Sequence, residues 1–468
     1  MSASPLNLER PRWVVVGAMV TAALAGLAVL RVLQYAGDEP PGHLAPASAA
    51  GAILLAAFVV GGMVRRADIQ VGSSFPWLVG LMSAVASLVP WWSIWVGTGG
   101  WGEAIYRGLR VPQGIVQFWD LLLPMQSIDC ASVGVDVYAV NNGCLADPTI
   151  YGPGVLWLQW VPLDLFSGRY VTGLGVAGIL VSSLALLWLA RSSYGPGRII
   201  LLIAAVSGPW LLLLERGNLD AVVMWVAIAA VILVRRWNAL WAWSLAAALI
   251  WLMGTWKYYP FAMGLMLIPA LRLRRGWTVL VAFAGAAVVF MALSWETFRF
   301  SSAANSNMVD LSDSWTLGRI PVVARMVGSV VPAEGIQAGD LLVLAVAVAA
   351  TVWGVLVGVS MRRTPWTLSM LAVAGSSLFL VSIVVAGFGW AYKATFLLLA
   401  VPLVSALVRS RSQAVVAASV IVLLLLGISA VVVWNVVLAT LAGVVAAGFA
   451  LGLAATVMVR SVIKVRQS

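Results

Sequence analysis

Charge is scarce in this chain: Asp, Glu, Lys and Arg make up only 10% of 468 residues, against 62% hydrophobic. So little polar surface cannot cover a soluble core, which excludes an ordinary soluble protein and leaves an integral membrane protein. Histidine occurs once, at His43 in a short early loop, so imidazole acid–base chemistry and histidine-rich metal centres are not expected. No Walker A sequence or nucleotide-binding glycine-rich turn is present, which argues against an ATP-driven pump. The alternating segments of an outer-membrane barrel are missing too, so helices must satisfy the backbone.

What the chain does have is apolar length. Mean hydropathy is +1.01, and segments of roughly 17 to 25 apolar residues recur from end to end, enough for an α-helix to cross about 30 Å of hydrocarbon. Net charge is +11, yet the basic residues form short clusters between apolar segments rather than one stripe. That is the pattern of cytoplasmic loops, and no nucleic-acid partner is expected. The clusters are Arg10/Arg12, Arg65/Arg66, Arg191/Arg198, Arg235/Arg236, Arg272/Arg274/Arg275, Arg362/Arg363, Arg409/Arg411 and Arg460/Lys464/Arg466.

With those clusters inside, the expected fold is all-α: a polytopic transmembrane helix bundle of about fourteen crossings plus a partial one, with both termini inside. Spans fall near 13–33, 47–64, 75–97, 171–190, 199–214, 221–235, 239–255, 259–271, 277–295, 341–361, 366–387, 394–408, 413–434 and 437–459. The first is long for a signal sequence and reads as a retained helix. Tyr151 to Phe166 is also apolar, but a full crossing there would push Arg191 and Arg198 outside, so it is expected to be a half-crossing or a tilted helix. Two long extracytoplasmic loops result, 98–150 and 296–340.

The only cysteines, Cys130 and Cys144, share the first of these loops. An oxidising outer face predicts a disulfide between them, stabilising the loop by roughly 3 kcal/mol on the chain-entropy model. Two unpaired thiols are the alternative. The loop offers no further Cys or His with which they could hold zinc.

Four polar constellations interrupt the apolar pattern, and a charge withdrawn from water near a membrane marks the first place to look for function. In the loop, Asp120 lies between Phe118–Trp119 and Leu121–Leu123, a setting that tunes a carboxylate toward accepting a proton; a cap or loop tie is the structural alternative. Asp129 follows it, and Asp136 and Tyr138 lie in a turn-like context, with Tyr151 beyond. The second constellation is Glu215-Arg216-Gly217-Asn218-Leu219-Asp220: Arg216 can face an anion, with Asn218 and Asp220 holding hydroxyls or orienting it, or the charges can form an ion pair closing a turn. The third is Trp256-Lys257-Tyr258-Tyr259-Pro260, in which Lys257 and Tyr258 either meet a phosphate or form an interfacial anchor. The fourth, Gly387 to Lys393, presents Trp390 and Tyr392 as platforms for a sugar ring, or as belt aromatics, and adds Lys393.

In this order and on one side, these motifs resemble the GT-C superfamily of membrane glycosyltransferases, most of all glycosyltransferase family 87. The residues carrying the resemblance are Phe118 to Asp120, Gly134 to Tyr138, Tyr151 to Pro153, Arg216 to Asp220 and Lys257 to Pro260, within roughly residues 75–410. Residues 1–74 would then be two N-terminal helices, 75–410 the catalytic membrane core, and 411–468 C-terminal helices with a basic cytoplasmic tail. The two preceding spans and the disulfide depart from the family pattern.

The resemblance implies an extracytoplasmic enzyme of the plasma membrane, moving mannose, or secondly arabinofuranose, from a polyprenyl-phosphate sugar donor to a lipid-linked or envelope glycan acceptor. It implies inverting displacement with Asp120, or else Asp129, as general base. Lys257, Arg216, Tyr258 and Lys393 would hold the donor phosphate. Asn218, Asp220, Asp136, Tyr138, Tyr151, Trp390 and Tyr392 would hold sugar or acceptor. Neither cofactor nor metal is called for; membrane lipids are the surrounding partner. A secondary transporter or flippase of lipid-linked glycans is the rival, with its charges near the bilayer midplane.

Overall fold

The computed structural model describes residues 75–95, 103, 118–139, 142–145, 148–160, 170–300, 314–316, 338–359, 366–385, 388–408 and 433–467. The expected spans at 13–33 and 47–64, most of that at 413–434, and much of the two long loops lie outside these residues. In chain order the helices are α1 (Phe75–Trp95), α2 (Trp119–Ser132), α3 (Val171–Arg191), α4 (Gly195–Ala205), α5 (Gly208–Glu215), α6 (Asp220–Arg236), α7 (Leu240–Lys257), α8 (Gly276–Leu293), α9 (Ala338–Val359), α10 (Trp366–Val385), α11 (Val401–Val408) and α12 (Val433–Gln467). Among the described residues three 3₁₀ segments accompany them: η1 (Pro153–Trp160), η2 (Tyr259–Arg272) and η3 (Ala391–Ala400). One short antiparallel ribbon pairs β1 (Ser314–Thr316) with β2 (Phe388–Trp390).

Among the described residues four helices are long and apolar enough to cross a membrane, at Phe75–Ile94, Val171–Arg191, Gly276–Leu293 and Gly443–Arg460. A fifth span forms if α4 and α5, bent by 52° at their junction, are counted together. The expected span at 259–271 is too short for an α-helix, but η2 is overwound: its 14 residues, at about 2.0 Å per residue, reach roughly 28 Å. Pro269 lies within it, where its missing N–H weakens the α-helical ladder, while Pro260 stands in the first turn, where a proline is tolerated.

The helices alternate in direction, and their ends sort by charge. The Arg191 guanidinium at the end of α3 lies 4.4 Å over the Trp77 ring at the start of α1. Arg272, ending η2, lies 5.0 Å over Trp366, which begins α10. Tyr194 N–H, just before α4, donates to Ser405 Oγ in α11 at 3.2 Å. One end of the bundle thus gathers arginines. The other gathers α2, η1 and the polar turns, where Trp91 packs on Phe118 at 6.2 Å between ring centroids. Tyr151, just before η1, and Gly175, in the first turns of α3, both pack at that second end. The last part of the expected partial element, 161–166, lies outside the described residues.

Core contacts concentrate where α12 packs on α9 and α10, where α10 packs on η2 and η3, and where α1 packs on α3. Outward faces stay apolar: Val281, Val288, Val289 and Leu293 on α8, and Leu344, Val348, Val352 and Leu356 on α9, are exposed. In water such stripes would be a liability, whereas hydrocarbon is their natural solvent.

At the α9–α12 contact the backbones touch: a Cβ added to Gly452 would meet the Thr351 carbonyl oxygen at 2.0 Å. Gly452→Leu should force the helices apart at a cost of about 1–3 kcal/mol. Thermal melting in detergent checks this, with a lower midpoint expected than for the same change on the exposed face of α8.

Candidate functional site

The site begins with how α5 ends. Gly217 takes φ +61°, a left-handed conformation open to glycine, and the Schellman pattern follows: Gly217 N–H donates to Leu214 O at 3.1 Å and Asn218 N–H to Leu213 O at 3.2 Å. Two more carbonyls, of the last residue of α5 and of its C-cap, accept from the start of α2: Phe118 N–H donates to Glu215 O and Asp120 N–H to Arg216 O, each at 3.0 Å. These groups would otherwise be orphans of helix ends, so the strap fixes α2 end-on against α5. Phe118 stands at φ +58°, with its fully buried ring against Gly175.

That strap brings Asp120 to Arg216. Arg216 Nη1 donates to Asp120 Oδ1 at 3.3 Å, and Asn218 Nδ2 donates to Asp120 Oδ2 at 2.5 Å. The same Nδ2 donates to the Tyr392 hydroxyl at 2.8 Å. Asn218 Oδ1 accepts from Lys257 Nζ at 2.8 Å and from Asp220 N–H at 2.9 Å. Lys257 Nζ also donates to Asp220 Oδ1 at 2.6 Å. Asp220 is fully buried in the first turn of α6, where the helix dipole favours an anion.

Tyrosines close the sides. Tyr151 OH donates to the Asp120 carbonyl at 2.8 Å, and its ring lies 5.4 Å beneath Lys257 Nζ. Tyr138 OH in turn donates to the Tyr151 carbonyl at 3.0 Å, while Asp136 Oδ1 accepts from Tyr138 N–H at 3.0 Å in an Asx turn. Gly152 N–H donates to Trp256 O at 2.7 Å, tying the loop to α7. The disulfide between Cys130 and Cys144 is formed, anchoring the far end of α2.

The sequence-expected residues divide accordingly. Asp120, Arg216, Asn218, Asp220, Lys257, Tyr392 and Tyr151 meet in one network, with Tyr138 and Asp136 behind Tyr151. Asp129 does not join them: nine residues on, it lies two and a half turns from Asp120, exposed on the opposite face of α2. Tyr258 turns away, because its own φ of +60° carries the ring to Phe298, 5.1 Å between centroids. Lys393 is buried one ring back, 5.5 Å over Tyr259 and donating to Ser382 O at 3.3 Å. Trp390 lends its backbone to β2 opposite Ser314; its side chain lies outside the described residues.

Tyr259 is the residue that sequence reasoning passed over. Its hydroxyl donates to Asp220 Oδ1, and only the reversal at Tyr258 decides which of the twin tyrosines faces inward. A cleft of about 320 Å³ opens beside the network, with Gly217 and Asn218 at its polar edge. Leu121, Met125, Leu174, Leu213, Val222 and Trp256 give it an almost wholly apolar wall. Among the described residues no three His, Cys, Asp or Glu side chains come together.

Burial raises the Asp120 carboxyl above its ordinary value of 3.8, against the opposing pull of Arg216, Asn218 and Lys257. A raised acid gains stability from its proton; that gain is complete below 3.8 and is lost as pH rises through the elevated value. Melting wild type and Asp120→Asn from about pH 3 to about pH 8 should therefore show the wild type losing ground as pH rises. A constant difference would mean that the carboxyl is not desolvated. Tyr259→Phe should cost about 1–3 kcal/mol by removing a donor from a buried carboxylate, read as a lowered melting temperature. Comparison with protein-family models, curated proteins and solved structures finds no match to this chain.

Proposed function

We propose that this protein is an extracytoplasmic glycosyltransferase of the GT-C kind, moving a sugar from a polyprenyl-phosphate donor to a lipid-linked or envelope glycan acceptor. The observation that carries the reading is the meeting of one carboxylate, Asp120, with two cations, Arg216 and Lys257, around Asn218 and beside an apolar cleft. A polyprenyl-phosphate sugar needs those three features together: a base, phosphate-neutralising charge, and a greasy wall for its chain. Mannose is the first choice of sugar and arabinofuranose the second, both from the family resemblance.

In the proposed step the acceptor hydroxyl attacks the anomeric carbon while Asp120 takes its proton. The bond from that carbon to the phosphate oxygen breaks with inversion, and the polyprenyl phosphate leaves with the electron pair. Arg216 and Lys257 offset the growing negative charge. Tyr392 and Tyr151 border the place where the sugar would sit.

By the positive-inside rule the arginine-bearing ends are cytoplasmic and the network lies at the outer ends of a multi-pass bundle, for which about fourteen crossings remain the proposal. A transporter or flippase would place its charges at mid-depth. The charges instead cluster at helix termini, and the bend between α4 and α5 lies near Ser207, a full helix before Arg216.

Reconstituted protein supplied with polyprenyl-phosphate sugars tests the reading. Asp120→Asn should lower turnover by about 10²–10⁴-fold while donor binding persists, and Lys257→Ala should weaken donor binding. Turnover retained in Asp120→Asn but lost in Asp129→Asn would move the base to Asp129.

A further inference from the structure

The amide of Asn218 has no hydrogen-bonding capacity to spare. Its two N–H bonds go to Asp120 Oδ2 and Tyr392 OH, and its oxygen accepts from Lys257 Nζ and the Asp220 N–H. An ammonium and a backbone N–H can only donate, so a rotated amide would set NH₂ against both of them. The residue is also 3% exposed, which leaves little room for water to relieve such a clash.

We propose that Asn218 is a positioning residue, an amide locked against rotation by Lys257 and the Asp220 N–H, so that it can only donate to Asp120 and directs an incoming proton to Oδ1 rather than Oδ2. A protonated Oδ2 would be a poorer acceptor for the close 2.5 Å contact. Oδ1 faces Arg216 Nη1 at 3.3 Å, a looser bond, and an arriving phosphate would draw that guanidinium away. Asn218, first expected to hold a sugar hydroxyl, instead sets the state of its neighbour. Lys257 then acts on Asp120 twice, by its charge and by holding the amide.

The groups facing the Asp120 carboxyl are Arg216 and Asn218 from the α5–α6 turn, Asp220 from α6, Lys257 from α7, Tyr151 before η1 and Tyr392 from η3. This inference rests on reading Asp120 as the proton acceptor, but its test needs no substrate.

The carboxylic acid infrared band of Asp120, identified by its absence in Asp120→Asn, is titrated in detergent for wild type, Asn218→Leu, Lys257→Met and the double variant. Asn218→Leu should raise proton affinity about tenfold or more, a midpoint shift of roughly one pH unit or above. Lys257→Met should also raise it, but by less than half as much when Asn218 is already gone, since a charge acting through the amide is non-additive with it. The smaller Asn218→Ala, which cannot donate and adds no charge, should raise the midpoint even if the leucine variant fails to fold. An unmoved midpoint in a folded Asn218 variant overturns the proposal, and equal Lys257→Met shifts in both backgrounds overturn the lock. If the chain moves no sugar, the transferase reading fails while these shifts stand.

Discussion

Withdrawing Asp220 completely from water is the constraint around which this end of the bundle is built. A buried carboxylate without partners would cost several kcal/mol, and its compensation must come from neighbours held at close range. Lys257 supplies the charge from the last residue of α7, and Tyr259 supplies a hydroxyl from the first residue of η2. Because those partners flank the reversal at Tyr258, the register of α6, α7 and η2 is fixed by one carboxylate. The arrangement contributes more to specificity of assembly than to net stability, since a buried ion pair seldom outweighs its desolvation.

The same logic extends outward through backbone groups. Helix termini leave carbonyls and N–H groups unsatisfied, and here the end of α5 is satisfied by the start of α2 rather than by water. Asp120 is therefore positioned by main-chain bonds on one side and by the Tyr151 hydroxyl on its own carbonyl. The disulfide at Cys130 holds the other end of that helix. On the proposed reading, a base fixed from three directions needs little reorganisation when its proton arrives.

How far the sequence discloses this depends on the kind of signal. Apolar length disclosed α3, α6, α7 and α8 within a few residues, because crossing hydrocarbon imposes a minimum length. The same rule did not disclose that 259–271 would overwind or that 199–214 would bend, since both depend on prolines and neighbours rather than on hydropathy. Asp120, Arg216, Asn218, Asp220 and Lys257 were legible because polar residues amid apolar sequence are expensive and seldom accidental. Tyr259 was not, because its inward aim follows from a single positive φ at Tyr258. Nor could composition separate Asp120 from Asp129, which half-turn geometry on α2 divides into one partly buried and one exposed carboxyl.

Charge balance explains why such a network suits the proposed step. Asp120, Asp220 and the buried Glu215, 4.0 Å from Arg216, oppose Arg216, Lys257 and Lys393, so the resting cluster is close to neutral. A phosphodiester donor brings one negative charge. When its sugar leaves, the phosphate carries a second, and on the proposed reading the proton released by the acceptor lands on Asp120 at the same moment. The cluster then becomes positive by one charge just as its ligand becomes more negative by one, inside surroundings where water screens either poorly. Proton uptake and leaving-group stabilisation are thereby the same electrostatic event, and Asn218, which touches both Asp120 and Lys257, is the group through which the two are joined.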